Sequence, residues 1–445
     1  MEVTLQQILD ARERRVTRQQ TLLVRYRKPL ICFTMNIPGP EKNNPLITRG
    51  FHLGMELLSA QLTGSRIPVL YRDVYEEDTG CEAYLSADAE PENLKKLCVQ
   101  IEDGLPVGRL FDMDVLRPDG SKVSRENLDL PGRTCMICGA PVYLCSRSRS
   151  HSLSQLRQKT DSLLCDALRQ QDARRIGTLA AKSLLHEVCV TPKPGLVDRQ
   201  NTGSHKDMDI FTFMSSSAAL QPYFTDCARI GMETADLSPA ETFEKIRFRG
   251  KLAEQEMFAA TGGVNTHKGA IFSLGILCAA AGRLNEENPA PQAICAQAAA
   301  MTAGISARDM AQGSCTTTGE KLYKEHGITG VRGQAEAGFP AVREVGLPVL
   351  RDGLFKGLSV NDAGAATLLH LLAASHDTNM IGRSDLKTHD SVRERIAALL
   401  KEDPYPSREV LETLDDDFIS HNLSPGGSAD LLAATYFLYY LKKDL

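Results

Sequence analysis

Asp112 and Asp114, two residues apart in GRLFDMDVL, are a first pair of side chains able to act together. The stretch reads as a strand, where alternate side chains share a face. Both carboxylates then point the same way. Such a pair suits a hard divalent cation that bridges to phosphate oxygens, the usual arrangement for metal-dependent nucleotidyl transfer; a solvated strand face has the same spacing. Lys42 follows the Pro/Gly turn of NIPGPEKNNP. It is a phosphate ligand if that loop lines a cleft, and otherwise a surface lysine. RTCMICGAPVYLCSRSRSH spaces Cys135, Cys138, Cys145 and His151 as C-x2-C-x6-C-x5-H. Three thiols and an imidazole suffice for a structural zinc site, although the second gap is short for one. The competing reading is a turn with buried thiols. Arg133, Arg147 and Arg149 flank this run and would meet phosphates, an acidic partner or solvent.

A second group lies further on. TPKPGLVDRQNTGSHKDMD concentrates Lys193, Asp198, Asn201, His205, Lys206, Asp207 and Asp209 in one loop. The mix fits a triphosphate with magnesium: cations for phosphate oxygens, carboxylates such as Asp207 and Asp209 for the metal. ATGGVNTHKGAIFSLG runs from glycines into a helix. Its backbone N–H groups, with Asn265, His267 and Lys268 beside them, form an anion site. The spacing and Lys-Ser/Thr pair of a Walker loop are absent. GITGVRGQAEAGFP offers Arg332 and Glu336, four apart and able simply to pair on a helix. HDTN supplies Asp377 and Asn379. In LSPGGSADLL, helix capping by Ser428, with Asp430 in the first turn, is a complete explanation of that pair.

The elements that must hold these residues fall into two rhythms. PLICFTMNIP, RIPVLYRDVY and GRLFDMDVL read as strands. PENLKKLCVQIED reads as a helix with Leu94, Leu97, Cys98 and Ile101 on one stripe. The first part is therefore α+β or α/β. SLSQLRQKTDSLLCDALRQQ is helical, QQDARR reads as a polar break, and a boundary is expected near residue 172. From Ile176 onward nearly every apolar segment has helical spacing. The expectation is an α+β (or α/β) domain over 1–172 followed by an all-α domain over 173–445.

Composition narrows the classes. A chain of 445 residues is too long for one ordinary core. A net charge of -5 gives no attraction to nucleic acid or anionic membrane in bulk. No apolar run reaches the roughly 18 to 20 residues of a span, and the N-terminus is charged and amphipathic rather than signal-like. The 12 cysteines sit in apolar stretches, as reduced thiols do, so a cytoplasmic protein is expected.

The first-half blocks ARERR, NIPGPEK, VGRLFDMDVL and RTCMICGAPVYLCSRSRSH resemble, in order, the apo-citrate lyase phosphoribosyl-dephospho-CoA transferases. The resemblance implies a nucleotidyltransferase-like domain. It would move a phosphoribosyl-dephospho-CoA group from its triphosphate precursor to a serine of the lyase acyl carrier protein, with Asp112 and Asp114 as catalytic magnesium ligands. The second-half blocks VTPKPGLVDRQNTGSHKDMD, TGGVNTHKGAIFSLG, GITGVRGQAEAGFP, DTN and NLSPGGSADLL resemble triphosphoribosyl-dephospho-CoA synthase. That family implies ATP and dephospho-CoA as substrates and adenine as the leaving group. Lys193, His205, Lys206, Lys268 and Arg332 would neutralise the triphosphate. Asp198, Asp207, Asp209, Glu336, Asp377 and Asp430 are candidates for metal, base and acid, with Glu336 expected near the sugar. The family often carries Glu where this chain has Gln334. The chain is thus expected to be a bifunctional enzyme of citrate lyase prosthetic-group synthesis. Alternatives are the same chemistry on a malonate decarboxylase carrier, an N-glycosidase of the ADP-ribosyl hydrolase kind, and a non-catalytic assembly chaperone.

Overall fold

The computed structural model describes residues 2–286, 288–312 and 318–443. It divides into two compact units, Met1–Gln170 and Gln171–Leu445. In the first unit, helix α1 (Leu5–Tyr26) starts with a reciprocal Thr4/Gln7 capping box. Strand β1 (Leu30–Met35) follows, then helix α2 (Pro45–Gly64), capped by Asn44 with proline in its first turn. Strands β2 (Val69–Glu77) and β3 (Gly80–Ala87) form a hairpin. Helix α3 (Pro91–Gly104) leads through a 3-10 turn into β4 (Phe111–Leu116) and the short β5 (Lys122–Val123). The sheet order is β2-β3-β1-β4-β5 with every neighbour antiparallel, which makes the unit α+β. Phe33 of β1 and Phe111, Met113 and Val115 of β4 point into a core with Phe51 and Met55 of α2 and Leu94 and Cys98 of α3. On the opposite face, Leu30, Cys32 and Tyr84 pack against Leu22 and Leu23 of α1. The sheet is therefore covered on both sides, except toward β4 and β5. A short helix α4 (Val142–Ser148) precedes α5 (Leu153–Cys189).

QQDARR does not break α5; the division between the two units falls inside this continuous helix. The segment is polar, but Gln, Ala and Arg are good helix formers and neither Gly nor Pro interrupts it.

Every regular element of the second unit, among the described residues, is helical. Helices α6 (Ile210–Glu233), α7 (Pro239–Ala260), α8 (Lys268–Leu284) and α9 (Pro291–Thr302) come first. Three short helices follow: α10 (Ile305–Gln312), α11 (Thr318–His326) and α12 (Gly330–Glu336). A π-helical turn then enters α13 (Leu347–Phe355), followed by α14 (Val360–Ala374) and α15 (Thr378–Arg383). Helices α16 (Leu386–Glu402), α17 (Arg408–Ser420) and α18 (Gly426–Lys443) complete the unit. Helix α8 is buried on nearly all sides from Ala270 to Gly282, as expected of a helix apolar around its whole circumference. It crosses α6 closely enough that a Cβ on Gly231 would lie 2.2 Å from the Ala279 carbonyl oxygen. The burial of α8 fixes the position of its first turn, where the polar loops gather. No described helix is long and apolar enough to cross a membrane.

Candidate active sites

A cavity of about 1040 Å³ opens in the second unit. Its walls come from the end of α5, the loop before α6, and the first turns of α8, α12, α15 and α18. The loop after α5 is shaped by buried carboxylates. Asp198 accepts from Thr191 Oγ1 (2.6 Å) and from the backbone N–H groups of Lys193, Gln200 and Asn201. Asp415 accepts from the Gly195 N–H and Asn201 Nδ2. This folds Lys193 back onto Glu187, with Nζ 2.5 Å from Oε1, both side chains almost fully buried. Burial pushes the Glu187 carboxyl up, and the Lys193 ammonium opposes that shift.

His205 accepts at Nδ1 from Arg383 Nη2 (3.0 Å), so its proton sits on Nε2 and is donated to Ser424 Oγ (2.9 Å). Burial and the neighbouring Arg383 lower its pKa to about 4. His267 caps α8. Its Nδ1 lies 2.7 Å from Ser216 Oγ, which in turn accepts from Thr266 Oγ1. The Ser216 hydroxyl is fully buried, so its proton goes to Nδ1, the acceptor beside it. The Nε2–H of His267 is buried without a protein partner and the residue lines the cavity. Burial, with Lys193 adding to it, lowers the His267 pKa to about 3. Both rings are neutral at physiological pH.

Asp430 reaches from α18 to the start of α8, where it accepts from the Ala270 N–H. The backbone there is tight: a Cβ on Gly269 would lie 2.0 Å from Asp430 Oδ2. Burial first, then the Glu187 and Asp377 carboxylates, push the Asp430 pKa well above the ordinary range. Gly426 and Gly427 also line the cavity, and their N–H groups in the first turn of α18 have no intrahelical acceptor. Side chains at these two sites would press on Asn379 and Asp377.

In the first unit, Asp112 and Asp114 share one face of β4, opposite Thr34 and Cys32 of β1. Asp114 pairs with Lys122 at 2.6 Å, and Arg133 Nη2 stands 3.7 Å from Asp112. Burial and the Asp114 charge raise the Asp112 pKa. Mutual repulsion of this kind is what a bound cation relieves. Lys42 is half-buried and donates to the Ile37 carbonyl at 2.6 Å. Burial and Arg12 lower its pKa. The ligand atoms of Cys135, Cys138, Cys145 and His151 all lie within 4.8 Å of one another.

Of the second-half residues singled out by sequence, Lys193, His205, Asp207, Asn265, His267 and Lys268 line the cavity. Lys206, Asp209, Arg332, Glu336 and Asp377 are not among its lining residues. Asp209 accepts from the Thr212 N–H and hydroxyl as the N-cap of α6, whereas Asp207 lines the cavity. Glu336 accepts from the Gly304 N–H, holding the start of α10, and Arg332 donates to Asp309 rather than to Glu336. Ser428 does not cap α18. Its N–H and hydroxyl donate to Asp377 Oδ2, while Oδ1 accepts from the Asn379 and Met380 N–H groups. Asp377 is thus a buried staple between the starts of α15 and α18. Asp377→Ala would strand those donors and is expected to cost about 3 kcal/mol. The urea midpoint of the helical unit, followed by circular dichroism, should fall, and an unchanged midpoint would remove this role.

Sequence reasoning missed Glu187, Arg383 and Asp390 as lining residues. Glu187 lies in LLHEVCV, where a lone charge inside an apolar helix was the available signal.

A sheet unit presenting a carboxylate pair, joined to a helical unit with a cation- and amide-lined cavity, defines a two-domain enzyme of phosphorylated substrates. Comparison with known families makes this specific. Residues 3–167 match the family described as apo-citrate lyase phosphoribosyl-dephospho-CoA transferase. Residues 173–445 match ATP:dephospho-CoA triphosphoribosyl transferase. The chain belongs to both families and is a fusion of the two transferases. Protein CitXG of Haemophilus influenzae is 36% identical over 98% of this chain and 96% of its own length. Protein CitXG of Leuconostoc mesenteroides subsp. cremoris is 32% identical over 100% and 98%. The 2-(5''-triphosphoribosyl)-3'-dephosphocoenzyme-A synthase of Escherichia fergusonii is 39% identical over 61% of this chain and 92% of its own.

Proposed function

We propose that the helical unit transfers the triphosphoribosyl group of ATP to dephospho-CoA, releasing adenine. The sheet unit then transfers phosphoribosyl-dephospho-CoA to a serine of the citrate lyase apo acyl carrier protein, releasing pyrophosphate. The observation that carries the first step is the pairing, in one cavity, of phosphate-binding groups with a carboxyl group, Asp430, driven toward its neutral form. Lys268, Arg383 and the amides of Gly426 and Gly427 hold the triphosphate, while Lys193 stays with Glu187. His267 Nε2–H donates to a substrate oxygen or ring nitrogen. The 2′ hydroxyl oxygen of dephospho-CoA bonds to C1′ of the ATP ribose as the C1′–N9 bond breaks. The bonding electrons leave with adenine, which takes a proton from Asp430, and the hydroxyl proton passes to a base. Glu187, paired with Lys193, is the acidic group nearest at hand to offset the cationic sugar.

In the sheet unit, Asp112 and Asp114 are the fitting ligands for magnesium, which when bound would neutralise triphosphate oxygens. Arg133 and Lys122 flank the pair and orient the carboxylates. Lys42, already committed to the Ile37 carbonyl, is left out of this site.

Incubation of the full chain with ATP, dephospho-CoA, magnesium and apo carrier protein tests the reading. Mass spectrometry should find the carrier heavier by one phosphoribosyl-dephospho-CoA group, and no added mass would sink it. The malonate decarboxylase carrier should be a poor acceptor. Adenine release that needs no dephospho-CoA would make the helical unit a hydrolase instead.

A further inference from the structure

The segment after β5 is held together in an unusual way. From Ser124 to Lys159, Cys135 is the only buried residue. Half-buried Met136 reaches the sheet core, but Ile137, Val142, Tyr143 and Leu144 are all exposed. A segment with several turns and no apolar core of its own lacks the usual source of order, and small folds of this kind need a staple.

Four ligand atoms converge where that staple belongs. Cys138 Sγ lies 3.4 Å from Cys145 Sγ and 3.3 Å from His151 Nε2. A disulfide would hold two sulfurs at about 2.05 Å, so the contact is between separate thiols. The chain around Cys135 folds into a tight turn. Its sulfur accepts from the Ile137 N–H at 3.5 Å, and its N–H donates to the Ala140 carbonyl at 2.7 Å. The Gly139 N–H returns to the Cys135 carbonyl at 3.0 Å, with Gly139 at φ +73°. That left-handed backbone suits glycine. A backbone N–H aimed at a sulfur stabilises the thiolate that a metal requires.

We propose that Cys135, Cys138, Cys145 and His151 bind one Zn²⁺ in a closed, structural site that holds Arg133 against the Asp112 carboxylate. Three thiolates and a neutral imidazole complete a tetrahedral zinc shell with no open position. The three thiol protons are released to solvent on binding. The site stands two residues from Arg133, whose Nη2 donates to the Phe111 carbonyl (2.7 Å), forms an ion pair with Glu102 (2.7 Å) and faces Asp112. Arg109 donates to the Thr134 carbonyl from the other side. Arg133 is therefore a positioning residue for the carboxylate pair, and the zinc turn is what carries it there. Zinc binding is independent of the reaction proposed for the sheet unit. The consequence for Arg133 rests on that reaction, so metal content and carrier loading are read separately.

Elemental analysis of the full chain, purified reduced and without added metal, should find one zinc per chain. Cys138→Ser and Cys145→Ser should each weaken zinc retention against a chelator by about tenfold or more, while His151→Cys, which restores a four-ligand shell, should retain it. Triphosphoribosyl-dephospho-CoA formation by the same variants reports that the helical unit is folded. Loss of zinc should lower carrier loading and leave that synthesis in place. A full chain that is active in synthesis yet binds no zinc after reduced reconstitution would overturn the site. So would iron in place of zinc, or a Cys138–Cys145 disulfide in the purified protein. Zinc loss with unchanged carrier loading would overturn the positioning of Arg133.

Discussion

Asp430→Asn should slow adenine release from ATP by about 10²- to 10⁴-fold, the range general acid catalysis supplies. Adenine is a poor leaving group unless a ring nitrogen is protonated as the glycosidic bond breaks. Two of the cavity histidines, His205 and His267, are unsuited to that task, because they are held neutral with pKa values lowered to about 4 and about 3. Glu187 is tied to Lys193. Asp430 lines the cavity, has no ion-pair partner among the described residues, and is pushed toward its protonated form. The sign of the pH dependence follows. An acid must hold its proton to act, so wild-type turnover should fall as pH rises through the raised pKa of Asp430, and that alkaline limb should vanish in Asp430→Asn. ATP binding should survive, placing the loss in kcat rather than KM. Gly269→Ala offers an independent check, since its methyl group would collide with Asp430 Oδ2 at 2.0 Å without altering any charge. A variant Asp430→Asn with wild-type kcat would remove the residue from the chemistry.

Asp112→Asn and Asp114→Asn should each lower carrier loading by about 100-fold or more, as loss of a charge-stabilising group at phosphoryl oxygens does. They should leave triphosphoribosyl-dephospho-CoA synthesis intact, so the intermediate accumulates. Folding does not confound the Asp112 variant. Its pKa is raised in the native protein by burial and by Asp114. The ionised carboxylate therefore opposes folding above that pKa, and a neutral amide removes the penalty. The thermal midpoint of Asp112→Asn should equal or exceed that of the wild type. Normal loading by a stable Asp112→Asn protein would exclude the pair as the reactive centre of the sheet unit.

Local patterns were readable where one element contains the whole signal. The alternation in FDMDVL places both aspartates on one strand face, and the structure forms β4 there with Phe111, Met113 and Val115 inward. Helical spacing identified α3 and, from Ile176 onward, the helical character of the second unit. Strand β3 went unread because CEAYLSA has no alternation: it is covered on both faces and buried almost throughout. The apparent break at QQDARR conflated polarity with helix breaking. Within the cavity, the loops were legible from their density of polar residues, but the division of labour inside them was not. Asp377 and Asp198 look like reactive acids in sequence, yet their lone pairs are spent on backbone N–H groups and hydroxyls. Asp430 looks like a first-turn helix residue until its carboxylate meets Ala270 of another helix. Those assignments depend on contacts between distant segments, which spacing along one segment does not encode.

Glu187 and Asp430 enter the cavity from α5 and α18, and Asp377 fastens α18 to α15 between them. The binding site is thus a property of the completed topology. During synthesis on the ribosome, the chain carries every lysine and glycine of the phosphate cradle except those of α18 before any cavity can close. Contacts of such long sequence separation form late. Until α18 docks, the cavity lacks one of its walls, and under the proposed function ATP bound there would stabilise the whole helical unit rather than one loop.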